Sequence, residues 1–279
     1  MQENQARIGF VGGGNMAQAI IKGLLNAGHA PDKIMVADPS PEQRETLQQL
    51  SPDISVSADS DELAADSNIL ILAVKPQILP GIAMHLADVP RASGQLIISV
   101  AAGITLQSLH GWLGNSASIV RVMPNTPALI GAGMSGLYAD ASMQQGLRKM
   151  AAYVMNATGD TLWVEDEDLI DAVTAVSGSG PAYFFLVMEI MQEIAEELGF
   201  SADDAALLVT RTAAGAGLLA AGSDETAAVL RARVTSPGGT TAAALAALEQ
   251  GGIRDIFRTA LFAARDRSFE LGTPIDDDK

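Results

Sequence analysis

The 279-residue sequence contains no cysteine. This absence excludes disulfide bonds, thiolate catalysis and zinc–thiolate sites, and it is typical of proteins from reducing compartments. The amino end has no basic segment followed by an apolar one, so we expect no secretory signal. The longest uncharged runs are interrupted by glycine, serine, asparagine and histidine, so we expect no membrane span. We therefore expect a cytoplasmic protein.

Basic residues are also scarce, with 17 lysines and arginines against 33 aspartates and glutamates and a formal net charge of −16. This balance argues against nucleic acid and anionic membranes as main partners. Lysine is almost absent from the second half, where Lys279 is the sole lysine after Lys149. Aromatic residues are few, whereas alanine and glycine are abundant after Ala202, which is typical of closely packed helices.

The first half alternates short apolar runs with amphipathic segments. Continuously apolar runs such as "ILILAV" and "LIISV" are expected of parallel strands that are covered on both faces. Repeated βα units of this kind predict a doubly wound α/β domain. The predicted strands after the first are 33–37, 68–74, 96–100, 118–123, 134–137 and 161–164, and the helices between them are 41–50, 59–65, 77–86 and 105–113.

A glycine-rich turn follows the first predicted strand and opens a helix. Gly12, Gly14 and Ala17 match the pattern G-x-G-x-x-G/A in the strand–turn–helix context that dinucleotide binding requires. The pyrophosphate would lie on the amides of the helix N-terminus. The first domain is thus predicted to be a Rossmann-type doubly wound sheet.

Asp38 follows the second predicted strand, where an acidic residue bonds the adenosine ribose 2′-hydroxyl and repels a 2′-phosphate. On that residue alone NADH is favoured. Ser40 and Arg44 follow closely and could offset the repulsion, so the choice between NADPH and NADH stays open. Asp38 is equally compatible with a turn-initiating role before Pro39.

Three further strand ends, "AVKPQ", "SVAAG" and "VMPNTPA", carry small or polar residues and proline. Because ligands bind at the carboxyl ends of strands in open α/β sheets, these loops are predicted to line the nicotinamide half of the site.

From Asp168 onward only helical patterns remain, interrupted by "SGSGP" and "SPGG". We predict two domains, a dinucleotide-binding domain over 1–164 and an all-α substrate and dimerisation domain over 165–279. Helices that are apolar on most faces need more covering than one small domain offers, so we expect a homo-oligomer, at least a dimer, through the helical domain.

The segment "VTSPGGTT", Val234 to Thr241, breaks the helical pattern without any conventional catalytic side chain. Thr240 or Thr241 is a candidate N-cap for the following helix, and bare glycine amides at a helix N-terminus suit a small anion. On these residues alone an ordinary helix–helix turn is the simpler interpretation.

The residue inventory narrows the chemistry. Alcohol oxidation needs a base such as histidine or lysine, yet no histidine stands at a predicted strand end and the helical half has only the terminal Lys279. Reduction of a C=N bond fits better, because a protonated imine is already electrophilic and needs mainly binding and orientation. The alternatives are another NAD(P)H-dependent imine or ketone reductase on the same scaffold, or a non-catalytic dinucleotide-binding regulator. No metal site is expected.

Together, "IGFVGGGNMAQAII", "AVKPQ", "SVAAGIT", "RVMPNTPA", "DLIDAVTAVSGSGPAYFF" and "VTSPGGTT" resemble the pyrroline-5-carboxylate reductase family, from Ile8 to about Leu271. The resemblance implies a Rossmann domain, a helical dimerisation domain, and reduction of 1-pyrroline-5-carboxylate to L-proline with NADPH or NADH. Members usually favour NADPH and often carry a small or hydroxyl residue where this chain has Asp38.

The resemblance also implies roles for individual residues. Thr241 bonds the ring nitrogen and is the implied catalytic residue, and Glu167 and Arg233 match substrate-side positions of some members. The substrate carboxylate is implied to be held by Ser236, Gly238, Gly239 and Thr240. The implied cofactor-binding residues are Gly12, Gly13, Gly14, Asn15, Met16, Ala17, Asp38, Ser60, Val74, Lys75, Pro76, Ala101, Ala102 and Asn125.

Overall fold

A computed structural model describes residues 3–92 and 94–272. The chain divides into two compact units. The first, called here the sheet unit, comprises Met1–Ser179 and Ala264–Lys279, and the second, called the helical unit, is Gly180–Ala263.

Within the described residues, the sheet unit carries eight strands in the order β3-β2-β1-β4-β5-β6-β7-β8. The first six are mutually parallel, β7 is antiparallel to β6, and β8 is parallel to β7. From β1 the chain adds β2 and β3 on one side, and it adds β4, β5 and β6 on the other side. The boundary between β1 and β4 is therefore the topological switch point at which such sheets bind ligands. The strands are β1 Ile8–Val11, β2 Ile34–Ala37, β3 Ser55–Ser57, β4 Ile69–Leu72, β5 Leu96–Ser99, β6 Ser118–Met123, β7 Gly133–Tyr138 and β8 Gly159–Trp163.

Both faces of this sheet are covered, which explains why its central strands are apolar without alternation. In β4, Ile69 and Ile71 belong to one buried apolar cluster, and Leu70 and Leu72 belong to another. Successive side chains point to opposite faces, so each strand contributes to both layers of the core. The helices of this unit are α1 Asn15–Asn26, α2 Pro41–Leu50, α3 Asp61–Asp66, α4 Leu79–Ala87, α5 Leu106–Leu113, α6 Gln145–Asn156 and α7 Leu169–Val173.

In the part of the chain that the structure describes, the helical unit contains helices and no strand, in keeping with the helical patterns predicted from Asp168 onward. A π-helical turn, Thr174–Gly178, precedes the first of them. The helices are α8 Gly180–Glu197, α9 Ala202–Ala221, α10 Ala227–Arg233, α11 Thr240–Gln250 and α12 Ile253–Gly272, the last of which ends in the sheet unit. The predicted fold class, a Rossmann-type doubly wound sheet followed by helices, is confirmed.

The helical unit buries few apolar side chains. Ala205 and Val209 on α9 are buried, whereas Phe184 is 69% exposed, Leu198 77% and Leu218 75%. Two stretches, Leu169–Glu197 and Ala202–Ala221, are long and apolar enough to cross a membrane by length and composition alone. Helices of this length and composition also pack against other protein segments.

Candidate active site

The glycine turn lies at the switch point of the sheet. Gly12 follows β1, its N–H donates to the carbonyl of Ala37 at 2.8 Å, and its φ is +97°. A Cβ at Gly12 would lie 2.6 Å from the carbonyl oxygen of Ala73, which follows β4. Only glycine fits here, because both the positive φ and the close backbone approach exclude a side chain.

The N-terminus of α1 is open. Gly14 is its N-cap residue and supplies no side-chain hydrogen bond, and a Cβ built on Gly14 would meet nothing within 4 Å in the described part of the chain. Amide donors without a capping side chain, with free space beside them, are what a pyrophosphate at a helix N-terminus requires. The predicted pyrophosphate residues, Gly12, Gly13, Gly14, Asn15, Met16 and Ala17, all lie at this turn, and the geometry fits a dinucleotide.

Asp38 lies directly after β2, beside the glycine turn. Its Oδ2 accepts the N–H of Gly13 at 2.8 Å and its Oδ1 accepts the N–H of Ser40 at 2.8 Å. Ser40 in turn is the N-cap of α2 and accepts the N–H of Gln43. The carboxylate thus links the glycine turn to the start of α2.

The other residues predicted for the cofactor lie in loops at the same edge of the sheet, because they follow parallel strands. Val74 follows β4 and packs against Gly12, since a Cβ at Gly12 would lie 2.8 Å from its Cγ1. Asn125 follows β6, and its side chain accepts from Met134 N–H and donates to the Ser177 carbonyl. Ser60 occupies the N-cap position of α3, Lys75 and Pro76 follow Val74, and Ala101 and Ala102 follow β5.

The "SPGGTT" segment joins α10 to α11 in the helical unit. Gly238 has φ +70°, and the N–H of Gly239 donates to the carbonyl of Ser236 at 3.1 Å. Gly239, rather than a threonine, is the N-cap of α11, and it provides no side-chain capping bond. The prediction of a threonine cap was wrong, because the turn at Gly238 brings the chain into the helix one residue earlier and places Thr240 and Thr241 in its first turn.

The amide end of α11, like that of α1, has no side-chain cap, and it suits an anion for that reason. A Cβ at Gly238 would meet nothing within 4 Å in the described residues, so this side of the turn is free. The hydroxyl of Thr241 makes no hydrogen bond within the described part of the chain, and the residue is half-buried. Arg233, at the end of α10, pairs with Glu225 at 2.5 Å.

Glu167 lies in the sheet unit, where its Oε1 accepts from Leu106 N–H at 2.7 Å and from the guanidinium of Arg121 at 2.9 Å. Arg121 is buried in the middle of β6, and it also reaches Asp171 at 3.5 Å. Ser268 on α12 donates to the same carboxylate of Asp171 at 2.6 Å. Arg121, Glu167 and Asp171 line a cavity of about 860 Å³. The placement gives Glu167 a clear role as counter-ion to a buried arginine, while its predicted substrate contact, like that of Arg233, stays a prediction.

Arg121 is not among the site residues predicted from the sequence. The signal was available in "SIVRVM", where one arginine interrupts an otherwise apolar strand. A buried guanidinium needs carboxylate partners, so this arginine predicts a paired acidic residue nearby.

Two family models match the chain. One, described as pyrroline-5-carboxylate reductase dimerisation, covers residues 167–271, and one described as NADP oxidoreductase, coenzyme F420-dependent, covers residues 7–103. Among curated proteins, a pyrroline-5-carboxylate reductase from Pseudomonas aeruginosa is 45% identical over 95% of this chain and 96% of its own length. One from Pisum sativum is 35% identical over 95% of each.

Solved structures show the same likeness. A pyrroline-5-carboxylate reductase from Coxiella burnetii is 38% identical, covers 97% of this chain and 100% of its own, and has a TM-score of 0.91. A pyrroline carboxylate reductase from Plasmodium falciparum with NADP bound is 28% identical, covers 97% and 99%, and has a TM-score of 0.84.

Proposed function

The chain belongs to the pyrroline-5-carboxylate reductase family, and from this premise we propose how its residues carry out the reaction. The activity is the NAD(P)H-dependent reduction of 1-pyrroline-5-carboxylate to L-proline, the last step of proline biosynthesis. NAD(P)H, when bound, supplies the hydride that is added to the C=N carbon. The protein binds and orients the substrate and the nucleotide, and it excludes water from the site.

On the cofactor side, the pyrophosphate lies on the open amides of α1. Gly12 and Gly14 let it approach the backbone, Asp38 meets the adenosine ribose, and Ser60 lies near the adenosine. The nicotinamide half is lined by the loops after β4, β5 and β6, through Val74, Lys75, Pro76, Ala101, Ala102 and Asn125. This assignment is supported by the free space above Gly14 and by the position of Gly12 at the switch point.

On the substrate side, the observation that carries the proposal is the N-terminus of α11, which opens on Gly239 without a capping side chain. The substrate carboxylate lies on the amides of this turn, contributed by Ser236, Gly238, Gly239 and Thr240. Thr241 then bonds the ring nitrogen, since its hydroxyl has no other partner in the described residues. Glu167 and Arg233 are proposed as further substrate-side residues.

The chemistry of an imine substrate explains why the helical half needs no lysine as an acid–base catalyst. The substrate enters as a cyclic imine, which becomes strongly electrophilic when its nitrogen is protonated or accepts a hydrogen bond. One hydroxyl at the nitrogen and an anion cradle at the carboxylate suffice to hold the C=N bond in place.

Replacement of Thr241 by alanine tests the proposal. We expect Thr241→Ala to lower kcat by about ten- to a hundredfold, because a lost hydrogen bond at the reacting atom costs about 1.5–3 kcal/mol when the partner is charged. The dissociation constant of the reduced nucleotide, measured by fluorescence titration, should not change. Thr210→Ala is the matched control, because the hydroxyl of Thr210 bonds only within α9. Near-normal turnover of Thr241→Ala would refute the assigned role.

The chain forms a homo-oligomer, as its dimerisation family model indicates. We further propose that it is at least a dimer through the helical domain, taken as residues 165–279 beside a dinucleotide domain of 1–164. The support is the exposed apolar surface of α8 and α9, which a second copy covers better than lipid, given the net charge of −16. A cytoplasmic location, with no nucleic acid and no membrane as partner, completes the proposal.

A further inference from the structure

The carboxylate of Asp38 is fixed in place by the backbone. Both of its oxygens accept an N–H, one from Gly13 and one from Ser40, each at 2.8 Å. To turn the carboxylate away from the glycine turn would leave these two amide donors without partners, which is unfavourable. The negative charge therefore stays beside the turn whether or not a nucleotide is bound.

The surroundings of Asp38 are also tied together. Gln18 on α1 donates through Nε2 to the carbonyl of Gly13 at 2.8 Å and to Oε1 of Gln43 on α2 at 2.9 Å. The glycine turn, the start of α2 and the carboxylate thus form one hydrogen-bonded group, and a local rearrangement would have to break several of these bonds together.

The guanidinium of Arg44, on α2, does not pair with this carboxylate. Nη1 of Arg44 donates to the main-chain carbonyls of Asp38, at 2.6 Å, and Pro39, at 3.0 Å. Within the described residues, Asp38 forms no ion pair. If the guanidinium moved to bind a 2′-phosphate, it would give up bonds to carbonyls and still leave the phosphate beside a fixed carboxylate.

We propose that Asp38 makes this enzyme prefer NADH to NADPH, an inference that rests on the proposed function. A carboxylate at the end of the second strand of such a sheet accepts a hydrogen bond from the ribose 2′-hydroxyl of NADH. A 2′-phosphate carries between one and two negative charges at neutral pH and is repelled by the same group. From the sequence, Asp38 favours NADH and Arg44 could offset its repulsion of NADPH; under this proposal the effect of Asp38 prevails.

Direct binding tests this selectivity without turnover. The full-length protein is titrated with NADH and with NADPH, without substrate, while the nicotinamide fluorescence is followed. We expect NADH to bind at least about tenfold more tightly than NADPH, since two close, partly exposed charges of like sign cost at least about 1.4 kcal/mol. Asp38→Ser should bring the two dissociation constants to within about threefold of each other.

The control variant is Asp53→Asn, because Asp53 is an exposed carboxylate. It precedes β3 at the amino ends of the parallel strands, whereas Asp38 follows β2 at their carboxyl ends. Asp53→Asn should keep the wild-type ratio. Should Asp38→Ser fail to fold, competition on the wild-type protein replaces it, with AMP expected to displace bound NADH better than 2′,5′-ADP does.

The outcomes distinguish a failure of the cofactor selectivity from a failure of the reductase function. NADPH binding as tightly as NADH to the wild-type protein, or an unchanged ratio in Asp38→Ser, would overturn the selectivity while leaving the reductase function intact. Binding of neither nucleotide would overturn the proposed function, and the selectivity with it.

Discussion

The two units bury their apolar side chains to very different extents. In the sheet unit, both faces of the sheet are covered and strands such as β4 are wholly inaccessible, whereas in the helical unit Ala205 and Val209 are buried beside many exposed leucines and phenylalanines. The sheet unit has a hydrophobic core of its own, and the helical unit exposes apolar surface of the kind that interfaces cover. Under our proposal, one chain thus carries a unit with its own core next to a unit that is covered on assembly.

Their chemistry is more alike than their packing. In each unit a glycine is the N-cap of a helix and supplies no side-chain bond, Gly14 for α1 and Gly239 for α11. Both helix ends offer backbone amides to an anion, the pyrophosphate in one case and the substrate carboxylate in the other under our proposal. Under this proposal the same device, an uncapped helix N-terminus, binds two different ligands.

The largest effect is expected from charges placed on the exposed apolar surface of the helical unit. Phe184→Glu or Leu218→Glu should convert the oligomer to monomer at micromolar concentration, because an isologous interface contains each substitution twice and would bury unpaired carboxylates. Size-exclusion chromatography with light scattering gives the mass. Met84→Glu is the control, since Met84 is a similarly exposed apolar residue, at 53%, on α4 of the sheet unit. If both variants keep the wild-type mass, the helical unit is not the site of assembly.

A smaller effect is expected in the core of the sheet unit. His29 is 2% exposed, its Nδ1 lies 3.0 Å from the hydroxyl of Tyr153, and burial lowers its pKa. The unfolded chain therefore takes up this proton at a higher pH than the folded chain does. The contribution of neutral His29 is complete above the unfolded pKa of about 6.5, and it is lost as the pH falls below that value towards the folded pKa.

We accordingly expect Tm to fall by a few degrees more in the wild type than in His29→Gln when the pH is lowered from about 7 to about 5. His85→Gln is the control, because His85 is an exposed partner of Asp61. Parallel curves for the wild type and His29→Gln would show that this histidine does not couple folding to pH.

Local patterns predicted much of this structure, and their failures have physical reasons. The apolar run of β6 and the amphipathic α2, which begins at Pro41, were predicted with the bounds observed. The strand β3, "SVS", was missed because a short, polar edge strand has no apolar run. The helix α6 was also missed, although its buried residues Ala151, Val154 and Met155 recur at helical spacing.

In the candidate site, too, residues close together in sequence could be predicted and residues far apart could not. The glycine turn and Asp38 could be predicted because neighbouring residues define the motif. The network of Arg121, Glu167, Asp171 and Ser268 could not, because its hydrogen-bonded pairs are up to 97 positions apart in the chain and Ser268 joins it only where the end of α12 lies in the sheet unit.

The most direct test of the account concerns Gly239, whose φ of −82° allows any residue and whose added Cβ would lie 2.5 Å from the hydroxyl and 3.2 Å from the carbonyl oxygen of Ser236. Because its backbone conformation suits any residue, Gly239→Val should fold with a shift of Ser236, but it should obstruct the carboxylate cradle; Gly222→Ala, at the end of α9, is the control. We predict that Gly239→Val raises KM for 1-pyrroline-5-carboxylate at least about tenfold, as loss of a charged hydrogen bond implies, while the Kd of the reduced nucleotide stays at the wild-type value. An unchanged KM would mean that the substrate carboxylate binds elsewhere, and it would contradict the account.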